Sequence, residues 1–200
     1  MRTKIEAGKR YHIYNRGVFR QDIFRDDDDC VRFLNLMKDH LAGPVHPLTY
    51  AVLPNHFHLY IEVDSLDILK PFYKEKPLAI GNTIGHLCNA YAKTFRYKYK
   101  TIGEGAVFQS PFNRVEVTDA AYRRSLVHYI NGNGYHHGLV NDPEDYPFTS
   151  LQELLYPAVE PYVKVEKVYA DFGGKGAFIK DWESIRRKKG LVANFEWEGM

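Results

Sequence analysis

The sequence predicts an α+β domain of the ferredoxin-like class, a four-stranded antiparallel sheet with helices packed on one face. Two periodicities lead there. Alternation at period two marks Tyr11 to Arg16 and His56 to Ile61, and apolar recurrence every three or four residues marks 31–41, 80–95 and 121–133. The first pattern belongs to half-buried strands and the second to amphipathic helices. In chain order the segments read strand, helix, strand, strand, helix, strand, helix, an order that lays helices over one antiparallel sheet.

Each element has a local reason. Arg10 to Val18 alternates as a first strand that Gly17 ends. Asp26-Asp27-Asp28-Asp29 precedes Val31, Phe33, Leu34, Leu36, Met37 and Leu41; the aspartates cap that helix and complement its dipole, with an acidic metal site as the competing reading. Gly43-Pro44 stops the helix. Val45 to Leu53 and His56 to Val63 are two strands joined by a tight turn at Pro54-Asn55. Residues 64–79 carry Pro71 and Pro77 with Lys70, Lys74 and Lys76 and read as a basic loop. Ile80, Ile84, Leu87, Cys88, Tyr91, Ala92 and Phe95 define a second long helix, whose tail mixes Lys93, Arg96, Lys98 and Lys100 with Tyr97 and Tyr99. Such a tail suits the helix dipole and equally a nucleic-acid surface. Thr101 to Gly105 is a turn without the spacing of a phosphate loop, Phe108 to Val117 a fourth strand, and Thr118-Asp119 the cap of a third long helix.

Composition narrows the function classes. The 200 residues, with a net charge of +2, suit one domain with an extension and give no overall basic bias. The two cysteines, Cys30 and Cys88, are far apart and suggest neither a zinc ribbon nor a disulfide framework. No apolar run approaches a membrane span and the first residues lack an apolar signal, so a cytoplasmic protein without membrane partners is expected. Fifteen tyrosines and twelve phenylalanines offer stacking surfaces for unpaired bases as well as core.

The candidate chemistry sits on the third strand. His56 and His58 fall on one face, roughly 7 Å apart, where two imidazoles can share a metal ion; the plainer reading is the wet face of an ordinary strand. Arg16 and Arg20 flank the end of the first strand as phosphate-holding or simply solvated cations. Tyr129 and Asn133, four apart, are neighbours on one helix face, and Tyr122 lies two turns earlier on the same face.

Pro54-Asn55-His56-Phe57-His58-Leu59 resembles the histidine-hydrophobe-histidine motif of the single-tyrosine HUH transposases, and of their REP-associated branch in particular. The resemblance runs from about Tyr11 to Ser150 in separated blocks. Asn15-Arg16-Gly17 with Arg20 and Phe24 is similar to the family's opening block. Phe108-Gln109-Ser110-Pro111-Phe112 is similar to its Trp-Gln-x-Arg-Phe block, and Asp145-Tyr146-Pro147-Phe148-Thr149-Ser150 to Asp-Tyr-Pro-Trp-Ser-Ser. Tyr129-Ile130-Asn131-Gly132-Asn133-Gly134 stands where the family reads Tyr-Ile-His-Leu-Asn-Pro.

The resemblance implies a metal-dependent DNA endonuclease and strand transferase that acts on single-stranded or hairpin DNA through a 5′-phosphotyrosine. Tyr129 is then the nucleophile, and His56, His58 and Asn133 hold Mg2+ or Mn2+. Asn15, Arg16, Arg20, Lys93, Arg96, Arg114 and Arg124 contact DNA, Arg114 standing in for the arginine that Ser110-Pro111 displaces. The transposase domain spans 1–150, and 151–200 is an extension in which Arg186-Arg187-Lys188-Lys189, followed by Phe195 and Trp197, is a solvated tail or a DNA clamp. Val163 to Tyr169 and Ala177 to Ile185 there suit short helices or strands. Partners are single-stranded DNA with hairpin ends, the assembly is a monomer or homodimer, and the location is nucleoid-associated. Gly132 and Gly134 predict a loose helix end that moves between cutting and rejoining, with His136 or His137 as the other candidates for third ligand. A domesticated hairpin-binding protein that does not cut, and a metal-dependent hydrolase that uses water, are the rival readings.

Overall fold

A computed structural model of the chain describes residues 4–41, 43, 45–64, 80–103 and 105–187. The lysines at 70, 74 and 76, the pair Lys188-Lys189, and Phe195 and Trp197 lie outside the described residues. Four strands, β1 (Arg10–Arg16), β2 (Val45–Leu53), β3 (His56–Val63) and β4 (Asn113–Glu116), form one sheet in the order β2-β3-β1-β4, antiparallel throughout. Among the described residues six α-helices accompany it: α1 (Asp27–His40), α2 (Ile80–Tyr99), α3 (Ala120–His136), α4 (Leu151–Leu155), α5 (Val165–Phe172) and α6 (Lys175–Arg187). The expected ferredoxin-like α+β class is the observed one.

The period-two pattern of β3 separates the two faces of the sheet. Phe57, Leu59 and Ile61 face α1 and α2, where Phe33, Tyr91 and Phe108 close an aromatic core; Phe33 and Phe57 lie 4.8 Å apart, and Phe33 meets Tyr91 edge-on at 5.4 Å. Each such fully buried side chain contributes on the order of 1.5–3 kcal/mol. Asp26 caps α1 as expected, its carboxylate accepting the Asp29 N–H at 3.0 Å. Lys98 and Tyr99 from the end of α2 close on Asp26 and Asp29, so the acidic run is a cap and an interhelix clasp rather than a metal site.

The other face, which carries the histidines, is covered as well. Helix α3 lies across it, so helices occupy both sides of the sheet where the sequence led to one, α1 and α2 on the Phe57 face and α3 on the His58 face. A buried polar cluster fastens α3 to β2: Asn131 donates to Thr49 Oγ1 at 2.8 Å and accepts from Ser150 Oγ at 3.0 Å. The segment leading into α4 also pairs with the outer edge of β2 through Val52 N–H to Phe148 O and Ser150 N–H to Tyr50 O, which closes an edge strand that would otherwise stay open. The stretches left open between helix and strand are helices: α5 and α6 back α3, with Phe172, Phe178 and Trp182 packed around the His128 ring.

Two expectations are corrected. The fourth strand is shorter than 108–117: Phe108 makes one bridge to Gly17 and the ladder resumes only at Asn113. Pro111, between them, has no N–H to give a ladder. The α3 glycines do not loosen the helix. It runs unbroken to His136, and Gly134 is buried where an added Cβ would stand 2.4 Å from the Tyr146 ring. Tyr146 in turn donates its hydroxyl to Val52 O at 2.8 Å. Gly134→Ala should therefore destabilise the protein by about 1–3 kcal/mol through overpacking, read as a lower urea midpoint, rather than stiffen a hinge.

Candidate active site

The start of β3 carries His56 and His58 on the face beneath α3, and neither is wet: they are 7% and 1% exposed. Their rings are 5.1 Å apart and nearly perpendicular. Burial forces each ring to be neutral, so each carries one proton, and its neighbours decide on which nitrogen. His56 Nδ1 lies 2.6 Å from Asn55 Oδ1; that oxygen can only accept, so His56 carries its proton on Nδ1. His58 Nδ1 lies 2.9 Å from His12 Nε2, and one proton is shared across that contact. With it on His58, both histidines present a bare Nε2.

Helix α3 supplies the remaining parts. Its pitch brings Tyr129 and Asn133 to the same side. The Tyr129 ring meets His58 edge-on at 5.3 Å. The Asn133 amide is fully buried and donates to the Tyr129 carbonyl at 2.7 Å, and it stands close enough to the His56 ring and the Tyr129 hydroxyl to bias both titrations. His56 Nε2, His58 Nε2 and Asn133 Oδ1 are buried without a hydrogen-bond partner. Among the described residues no cluster of three or more His, Cys, Asp or Glu side chains is arranged to hold a metal; the Asn133 amide oxygen is the third buried lone pair beside the two imidazoles. Two imidazole nitrogens and one amide oxygen, each with a lone pair and no other partner, fit a borderline divalent ion such as Mn2+ better than Mg2+, which prefers all-oxygen shells. His137 is exposed at the rim with its ring 4.9 Å from His56, and His136 stands beyond it, 5.0 Å from His137.

The electrostatics follow from burial. His12 and His56 are each pushed down to about 3 by desolvation, and His58 falls well below the ordinary histidine value for the same reason, reinforced by His12 and His56. Burial raises the Tyr129 phenol to about 12, an effect that Asn133 partly offsets. Arg16, opposite His56 in the β1–β3 register, is the cation at the rim of this site. Burial lowers its pKa, and the nearby Arg20 lowers it further.

The residues expected to contact DNA separate into two groups. Arg16 and Arg20 reach the His56 end of the sheet. Asn15 does not face out: it is 3% exposed, with its amide donating to Gln109 O and accepting from Arg16 N–H. Arg114 pairs with Ile13 and so shares the α1–α2 face, away from the histidines. Lys93 lies exposed on α2, and Arg96 donates to Gly105 O. Arg124 turns toward α5, its guanidinium 3.4 Å from Asp171 O. Two residues that organise the site, His12 and Asn55, had no role in the sequence reading. The parity of β1, which places His12 with Tyr14 and Arg16, was the signal for the first; Asn55 read only as a turn.

No family model matches the chain, and no curated protein does. Among solved structures it is similar to a REP-associated tyrosine transposase bound to a REP hairpin, with a TM-score of 0.56 at 18% identity over 81% of this chain and 88% of that one. It is also similar to a candidate transposase from Deinococcus radiodurans R1, with a TM-score of 0.41 at 14% identity over 66% of this chain and 96% of that one. The first of these shows the class of fold: a four-stranded antiparallel α+β domain of the tyrosine-transposase kind. More narrowly, that solved neighbour is a member of the REP-associated branch, the one the sequence blocks of this chain resemble. Among the described residues no helix is long and apolar enough to cross a membrane.

The neutral buried rings carry a pH signature. Between pH 6.5 and about 3 the unfolded chain binds protons at His12 and His56 that the folded chain refuses. The unfolded state therefore holds more protons, and stability rises with pH, by up to about 1.4 kcal/mol per pH unit for each ring. Urea midpoints should fall as pH drops from 6.5 toward 5, above the carboxylate range, and His12→Phe should flatten that slope.

Proposed function

We propose that the protein is a metal-dependent, single-tyrosine DNA nicking and strand-transfer enzyme of transposase type, acting on single-stranded DNA beside a hairpin. The observation that carries this reading is the convergence of Tyr129 with three buried, unpartnered lone pairs, on His56, His58 and Asn133, within one chain. The shared fold with a hairpin-bound transposase supports the substrate class.

The chain's own groups divide the work. His56, His58 and Asn133 hold a divalent ion, Mn2+ or Mg2+. When bound, that ion withdraws charge from the scissile phosphate and orients it. Tyr129 is the nucleophile: its oxygen bonds to phosphorus as the bond from phosphorus to the 3′ oxygen breaks. The phenol proton passes to water, and the departing oxygen takes one up to leave a 3′-hydroxyl. The linkage keeps the energy of the phosphodiester, so a second hydroxyl reverses the step without ATP. A phenol raised to about 12 is a poor nucleophile alone, and a cation held by His56, His58 and Asn133 would supply the charge withdrawal that the phenol lacks. Arg16 at the rim grips the phosphate backbone. Asn55 and His12 are positioning residues that keep both Nε2 atoms directed at the ion.

A hairpin DNA with a single-stranded flank, incubated with the protein and Mn2+, should give a covalent protein–DNA band on a denaturing gel. Tyr129→Phe should abolish the band and Tyr122→Phe should retain it. Binding without any band would leave a non-cutting hairpin-binding protein, and cleavage that persists in Tyr129→Phe would indicate a hydrolase that uses water. The ligand set has its own check by calorimetry with Mn2+ alone. His58→Ala and Asn133→Leu should abolish measurable binding, and His12→Phe should weaken it by about 10–100-fold as an outer-shell change. His137→Ala should leave it within about twofold of the parent. A His137→Ala loss as large as that of Asn133→Leu would move the third ligand to the rim.

A further inference from the structure

Ahead of the histidine strand, residues 17–21 form a tight arch that holds a phenylalanine out of the protein. Phe19 is 98% exposed. Single exposed apolar side chains are ordinary, as Tyr97 and Tyr156 on this surface illustrate. Phe19 differs in its backbone. It has φ 54° and ψ 23°, and Arg20 follows at φ 60°. Two consecutive non-glycine residues in the left-handed region are costly, and such strain persists only where the surroundings over-determine it.

The surroundings do so. Gly17 N–H donates to Asn55 O at 2.8 Å, Val18 N–H to Val107 O at 3.0 Å, and Gln21 N–H back to Val18 O at 3.1 Å. Ile23 and Phe24 both donate to Pro54 O at 2.8 Å. Gly17 is required at the foot of the arch, since a Cβ there would meet Gln21 O at 2.3 Å. Asn55 joins the arch to the site: its carbonyl takes the Gly17 N–H, its Nδ2 lies 3.4 Å from Arg20 O, and its Oδ1 takes the His56 Nδ1 proton. The residue that sets the His56 tautomer thus also anchors the arch. Arg16 and Arg20 flank Phe19 in sequence and lie near enough for one charge to act on the other, so both cations stand at this end of the sheet.

We infer that Phe19 is a stacking platform for one unpaired nucleobase beside the phosphate held at His56, with Arg16 and Arg20 on the adjoining backbone phosphates. An exposed aromatic ring held out by the backbone beside cationic side chains is the chemistry of single-strand recognition, where every base offers a π-face and the arginines supply charge. A duplex end would bring only paired, stacked bases to the ring. The inference rests on the nucleic-acid reading proposed above and deepens it by naming the element that selects single-stranded flanks.

Fluorescence anisotropy with a labelled DNA hairpin tests it, in a Tyr129→Phe background without metal so that no covalent product forms. One probe carries short single-stranded flanks, and a second carries abasic sites at the same flank positions. Phe19→Ala should weaken binding of the first probe by about tenfold or more, leave the second within about twofold, and show an unchanged thermal melt. Phe19→Trp should bind the first probe as the parent does. Equal affinity of Phe19→Ala and its parent for the intact flank would overturn the stacking role, and so would an equal loss on both probes. Neither result touches adduct formation at Tyr129, which is read separately on the denaturing gel. Failure of the parent to bind either probe would remove the nucleic-acid reading itself, and the platform with it.

Discussion

One proton per ring governs this site. Three histidines lie buried under α3, and burial keeps them neutral. A neutral imidazole has one donor and one acceptor. Asn55 claims the donor of His56, and the contact with His12 takes up Nδ1 of His58. What remains are two nitrogen lone pairs and the Asn133 oxygen, buried close together without a hydrogen-bond partner. A buried polar atom left unpaired costs about 1–3 kcal/mol. Three together in one place form a local frustration that a ligand would relieve.

The sheet divides its two faces between these demands. The Phe57 face holds an aromatic core built from α1, α2 and the segment around Phe108. The His58 face is covered by one helix held through a few polar fasteners, Asn131 with Thr49 and Ser150. The C-terminal helices reinforce this by packing behind α3, with His128 paired to Asp181 at 2.8 Å over Phe178 and Trp182.

Much of this was legible in the sequence, for identifiable reasons. The alternation through His56, His58 and Tyr60, with Phe57, Leu59 and Ile61 on the other parity, is a direct consequence of strand geometry, and so the two faces could be read. The caps at Asp26 and Asp119 were equally visible, because capping is local. Interactions made by packing could not be read. Gly134 looks like a helix breaker until Tyr146 is seen against it, and the phenol that demands the glycine is 12 residues away. Arg114 looks like a spare cation until the β1–β4 register turns it to the far face. Asn15 resembles a contact residue by its block, yet the turn of the chain at Gln109 buries it. His12 shares parity with Arg16, but its partnership with His58 exists only once β1 and β3 lie side by side.

The contact between Gly134 and Tyr146 also bears on how cutting and joining would be shared between protein and DNA. The tail of α3 is packed against β2 through a ring and a hydroxyl, which holds the helix that carries Tyr129 against the sheet of its own chain. On the function proposed here, the phenol stays put through the cycle and each subunit is self-sufficient in its cutting parts. The travelling component is then the nucleic acid, whose loosened ends must trade places across a stationary catalyst.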